Sequence, residues 1–136
     1  MWSKLHGAST HFPIALVLVS TLCEAAACAC GEGELRRNLR FAGTITIVLG
    51  ALGGFAAAAS GLIVAKGQFW GHATLLRHHQ FVWPAFVLFT GLATWRILRR
   101  GEPARVESLA YLAILMLAAL LVSLAGYWGG EMLSQG

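Results

Sequence analysis

The chain contains no aspartate, and its six acidic residues are all glutamates. No serine, cysteine or aspartate nucleophile arrangement can be read in it, so hydrolytic and group-transfer chemistry find little support. Charge of either sign is scarce: 12% of the 136 residues are charged and 57% hydrophobic. With a mean hydropathy of +0.68, a soluble domain of this length could not hide its apolar surface from water, which makes the chain a membrane protein. Long polar stretches are missing too, leaving no room for a soluble catalytic domain. Cys23, Cys28 and Cys30 match no zinc spacing, and the cysteine pair followed by histidine that holds a c-type haem is absent.

Four apolar runs are present, over 11–29, 39–65, 79–97 and 106–130. Each reaches the ~20 residues that cross a ~30 Å hydrocarbon layer. The predicted fold class is all-α: an integral membrane four-helix up-down-up-down bundle, one domain over 1–136. The first run is expected to be retained, since only Lys4 supplies a basic head and no small-residue cleavage site follows.

Orientation follows from the basic residues. The first connection carries Arg36, Arg37 and Arg40 and the third Arg96, Arg99, Arg100 and Arg105, seven of the ten basic residues; Lys4, Lys66 and Arg77 lie on the other side. The excess predicts both termini and the central connection on the periplasmic face of a bacterial cytoplasmic (inner) membrane. The net charge of +4 is then a topology signal that also attracts anionic membrane lipid, and it requires no nucleic acid. The cysteines fall near the reducing side, where disulfides are not expected.

That orientation puts His6, His11, His72, His78 and His79 on the outer side. Ionisable residues at membrane depth are costly and often mark a pathway or a buried partner. The stretch "LHGASTHFPIALVLVS" places His11 at the start of the first helix, with Ser9 or Thr10 as N-cap and Pro13 in the first turn. His79 opens the third helix, whose first turns Pro84 should bend. Helices one and three start on the same side, so His11 and His79 are expected to face each other as the axial iron ligands of a b-type haem. His78 competes with His79, because adjacent helical residues point ~100° apart. His6 and His72 are candidates for a second haem or metal, or for hydrogen bonds to a propionate; the bland reading for each is a solvated interfacial imidazole.

Gly43, Gly50, Gly54 and Gly61 form a narrow stripe on helix two, which admits either a neighbouring helix or a flat cofactor. "GYWGGEML" closes helix four: Gly126, Gly129 and Gly130 clear a shelf beside Tyr127, Trp128 and Glu131, and Met132 is an alternative axial ligand. The connection 66–77, with Phe69, Trp70, Leu75 and Leu76, suits a lid on the outer interface. Glu24 is expected to pair with Arg36, Arg37 or Arg40, or to serve a proton or quinone site.

The motifs "HGASTHFPIAL", "SGLIVAKG", a histidine opening helix three with Arg96 at its far end, and "GYWGGEML" together resemble a family of small four-helix bacterial membrane proteins. That family is known as a domain of unknown function, with members fused to or found beside c-type cytochromes. The resemblance covers nearly the whole chain. It implies recurrent polar positions at His6, His11 and one of His78 or His79, an acidic residue near Glu24, and the double glycine Gly129–Gly130. It also implies haem binding.

The expected function is a b-type cytochrome-like subunit with one haem b, or two. It would pass electrons between the quinone pool and a periplasmic c-type cytochrome or dehydrogenase subunit. No histidine lies on the cytoplasmic side, so two-haem transfer across the whole membrane is disfavoured. The alternatives are a cofactor-free structural or assembly subunit of a respiratory complex, and an outer-facing copper or zinc site.

Overall fold

The computed structural model describes residues 2–99 and 101–134; Arg100, counted above with the basic connection, lies outside the described residues. All regular elements among them are helical: α1 (Trp2–Ala29), α2 (Glu34–Val64), α3 (Ala73–Leu98) and α4 (Arg105–Ser134). Within them lie four segments long and apolar enough to cross a membrane, Ser9–Ala29, Glu34–Val64, Ala73–Leu98 and Arg105–Met132. The expected all-helical membrane class is therefore observed. Each helix packs on its neighbours in the chain and α1 also packs on α4, which closes a ring in which α1 and α3 are diagonal.

The helices are longer than the apolar runs at both mouths. α1 already turns at Trp2, so His11 lies about two and a half turns inside it and Ser9 and Thr10 are not caps. Their hydroxyls instead donate back to the carbonyls of His6 and Gly7, each at 2.9 Å. α3 starts at Ala73, one and a half turns before His79, with His72 as its extended N-cap residue. Hydropathy alone misses such ends, because a helix continues past the hydrocarbon wherever its backbone donors and acceptors still find partners.

The connections are tightly shaped. α2 ends with Lys66 in the left-handed region (φ 52°) while the Gly67 N–H donates to the Leu62 carbonyl at 2.8 Å, a Schellman turn that reverses the chain. α4 begins with the Glu107 carboxylate accepting from the Ala104 N–H at 2.9 Å, half of a capping box.

The core is built from small residues that let backbones approach. A Cβ on Gly43 would lie 3.4 Å from Cys23 Cβ, and one on Gly50 3.4 Å from Leu16 Cβ. Gly54 lies under the Phe89 ring, and Gly61 under the His6 imidazole. The glycine stripe thus serves helix packing over most of its length and an imidazole at its last turn. As residue numbers rise along α2, the partners on α1 fall, so these two helices run antiparallel. Val17, Ile47, Phe89 and Leu115 fill the centre, while Leu22, Phe55, Val87 and Leu120 point outward, as a lipid-facing surface requires.

Candidate functional site

All five histidines fall at one end of the bundle, and His6, His78 and His79 are the ones turned inward there, beside Gly61 and Gly129. His6 on α1 is half-buried over α2. Its Nδ1 lies 3.0 Å from Ser60 Oγ, and that hydroxyl donates to the Ala57 carbonyl at 3.0 Å. With the serine proton engaged, the imidazole Nδ1–H is the donor, and Nε2 keeps its lone pair. A Cβ on Gly61 would come within 2.9 Å of His6 Cε1, so only glycine leaves room for this ring position.

His78 on α3 repeats the arrangement against α4. Its Nδ1 is 2.8 Å from the Ala125 carbonyl oxygen. A carbonyl can only accept, so Nδ1 carries the proton and Nε2 is again uncommitted. The ring stands over Gly129, whose Cβ would lie 3.4 Å from His78 Cε1. Both imidazoles are therefore held by one ring nitrogen and leave the other as a ligand, which is how a protein orients a metal-binding histidine.

His79 is buried, its ring 5.6 Å from that of His78 and 5.7 Å from that of Trp83. Its Nδ1 is enclosed without a hydrogen-bond partner. His6 and His79 lie close enough for their charges to interact. Burial is the main reason that the His6 imidazole titrates below its ordinary range, and His79 depresses it further, partly offset by the Ala57 carbonyl. His6 is thus a neutral imidazole at pH 7.

The expected facing of His11 and His79 is not what the helices produce. His11 is exposed and makes no hydrogen bond or ring contact among the described residues. One turn deeper, Ile14 meets Gly126, so helical spacing puts His11 on the seam between α1 and α4, level with Gly129 and Gly130. The α1 imidazole nearest His79 is His6. His72 is exposed at the N-cap of α3. Of the shelf glycines, Gly126 faces Ile14, Gly129 faces His78, and Gly130 has open space where a side chain would be.

The central connection closes down on this mouth. Phe69 stacks on Trp83 at 4.3 Å between ring centroids, and the Trp83 indole N–H donates to the Phe69 carbonyl at 2.9 Å. The Arg77 guanidinium sits 4.8 Å from the centre of the Trp128 ring. No three His, Cys, Asp or Glu side chains converge as a metal group among the described residues.

The opposite end holds a buried ionic network that draws on all four helices. Glu24 (α1) is 1% exposed and bonds Arg96 (α3), while its other oxygen is 4.0 Å from Arg40 Nε (α2). Arg40 also bonds Glu102 and donates to Ser108 Oγ (α4) at 2.7 Å. The Arg96 guanidinium lies 4.2 Å from the centre of the Tyr111 ring. Among the pairings anticipated for Glu24, Arg40 is present and Arg96 is additional. Sequence reasoning missed Ser60, Ser108 and Tyr111, and the pairing of Arg96 with Glu24. The available signals were weak ones: a serine beside the last stripe glycine, and two hydroxyls one turn apart at the start of an otherwise apolar helix.

A ring of four membrane-length helices with histidines at one mouth and a buried ion network at the other defines a small polytopic membrane protein. The chain belongs to the family described as a predicted membrane protein, DUF2231, a domain of unknown function, which matches its residues 3–135. No curated protein and no solved structure matches the chain.

Proposed function

We propose that the histidine mouth holds a b-type haem and that the protein is an electron-transfer subunit of a bacterial inner membrane. The observation that carries this reading is the pair of imidazoles, His6 and His78, each with Nδ1–H bound to the protein, Nε2 uncommitted, and a glycine beneath it. The donor set fits an iron with two neutral nitrogen ligands. His6 and His78, rather than the expected His11 and His79, would hold it: His11 is exposed with no side-chain hydrogen bond among the described residues, and His79, whose ring is held toward the Phe69 and Trp70 carbonyls, has its remaining nitrogen, Nδ1, buried. Haem would supply a one-electron couple.

The chain's own residues do the rest. Ser60 and the Ala125 carbonyl fix the two ring tautomers, which sets the direction of each Nε2 lone pair. Phe69 and Trp83 cover the mouth and lower its polarity, a lever on reduction potential. Gly61, Gly129 and Gly130 keep side chains out of the space beside the rings. The arginine-rich end would face the cytoplasm and the histidine mouth the periplasm. Electrons would then pass between membrane quinol and a periplasmic c-type cytochrome or dehydrogenase subunit, with His72 positioned as a proton acceptor at the rim.

A zinc or copper ion bound by the same nitrogens is the second reading, since imidazole serves those metals equally. The experiment is purification from bacterial membranes in mild detergent, a reduced-minus-oxidised visible spectrum, and elemental analysis. Sharp b-type bands with stoichiometric iron support the proposal. Stoichiometric zinc or copper without such bands transfers the site to that metal, and a folded protein with neither sinks both readings.

A further inference from the structure

The arginine end carries a second feature that the ion network does not account for. Between α2, the end of α3 and the connection that follows it, a cavity of about 180 Å³ is lined by Arg37, Arg40, Arg96 and Arg99, with Glu102 as its one acidic wall. Phe41, 67% exposed, and Thr44 form its membrane-facing side. The guanidiniums behind it are partly engaged: Arg40 by Glu102 and Ser108, Arg96 by Glu24, Arg99 by Glu107 at 2.6 Å. Their engagement is incomplete. Arg96, whose side chain is 8% exposed, has its Nε buried without a hydrogen-bond partner. Arg37 is exposed at the rim, and its side chain makes no hydrogen bond or ion pair among the described residues.

We propose that this cavity binds a phosphate group, the charged part of one anionic phospholipid headgroup held between α2 and α3. Four planar guanidiniums around one small space present donors in the fork geometry that matches phosphate oxygens. Glu102 on the wall and Glu24 and Glu107 behind it pair Arg40, Arg96 and Arg99, which leaves the lining an excess of one positive charge, that of Arg37. The volume is below the ~300 Å³ at which pockets for drug-sized ligands begin and suits a headgroup fragment. The site sits where the apolar spans end, with Phe41 beside it to contact an acyl chain. Free inorganic phosphate shares this chemistry and is the other source of the same group.

The test is native mass spectrometry of the full chain in detergent with added phosphatidylglycerol or phosphatidylcholine, and separately its melting with and without inorganic phosphate. The variants are Arg37→Gln, Arg37→Gln/Arg99→Gln, and Arg105→Gln, a basic residue of the same end that does not line this cavity. Because Arg37 is exposed and unpaired, its single variant carries the test if the double variant does not fold. One retained phosphatidylglycerol, with affinity lowered at least about tenfold in the double variant and unchanged in Arg105→Gln, supports the lipid headgroup. Stabilisation by millimolar inorganic phosphate that the double variant loses, with no lipid preference, supports the same site with free phosphate as its ligand. Equal binding of both lipids and no phosphate effect overturns the proposal, as does a loss in Arg105→Gln equal to that of the double variant.

Discussion

Glu24 on α1 and Arg96 on α3 form an ion pair across the diagonal of the bundle, with side chains 1% and 8% exposed. Such a pair joins two helices that otherwise share little surface. Its worth lies in what happens when one member is lost: an unpaired buried guanidinium costs about 3–5 kcal/mol. Glu24→Ala should therefore lower the melting temperature in detergent sharply. Glu107→Gln, which weakens a pair only 35% and 44% exposed and keeps an acceptor for Ala104, should cost about 0–1 kcal/mol. Equal effects of the two substitutions would show that the diagonal pair does not bear on stability.

Glycines on the stripe and off it should respond in opposite ways. A Cβ on Gly54 would lie 2.8 Å from Phe89, a ring that is 4% exposed, whereas one on Gly91 meets nothing within 4 Å. Gly54→Ala is expected to destabilise by about 1–3 kcal/mol through overpacking. Gly91→Ala should be neutral or stabilising by up to ~1 kcal/mol, since it removes only backbone freedom. Paired thermal melts check the contrast.

Gly61→Ala tests the imidazole seat itself. Its Cβ would stand 2.9 Å from His6 Cε1, so the ring must leave Ser60. Under the haem reading this variant should fold and lose cofactor, while Gly126→Ala, with 3.6 Å to the nearest atom, should retain it. Retention of a full complement in Gly61→Ala would remove His6 from the site.

His6 gives the apo protein a pH dependence of known sign. Its imidazole titrates below the ordinary value of 6.5 because it is buried beside His79. In the unfolded chain it therefore takes up a proton at higher pH than in the fold. Its contribution is complete above the unfolded value and is lost as pH falls through the folded one. Melting curves from pH 7.5 to 5 should show a progressive loss, and His6→Gln should flatten it. An unchanged slope in His6→Gln would assign the acid sensitivity to other groups.

The membrane-spanning elements were legible because apolar runs of ~20 residues have few other uses. Helix ends were not: residues 2–10 and 73–78 are polar enough to read as loop, yet they continue α1 and α3 because the bundle mouth supplies partners. The histidine end was legible as a region, but the choice of His11 over His6 rested on where a helix would begin, and α1 begins nine residues earlier. Gly61 and Ser60 carried the missing information, one as the last member of a spaced stripe, the other as a hydroxyl beside it. Arg96 read as a topology charge. Its role opposite Glu24 depends on a tertiary contact 72 positions apart, which no local pattern encodes.

The most direct measurement is the reduced-minus-oxidised spectrum of the purified protein beside those of His6→Ala, His78→Ala and His11→Ala, each at equal folded concentration. The account predicts b-type bands in the unsubstituted chain and in His11→Ala, and their loss in His6→Ala and His78→Ala. Bands that survive in both of those variants, or that are absent from the unsubstituted protein, would contradict it.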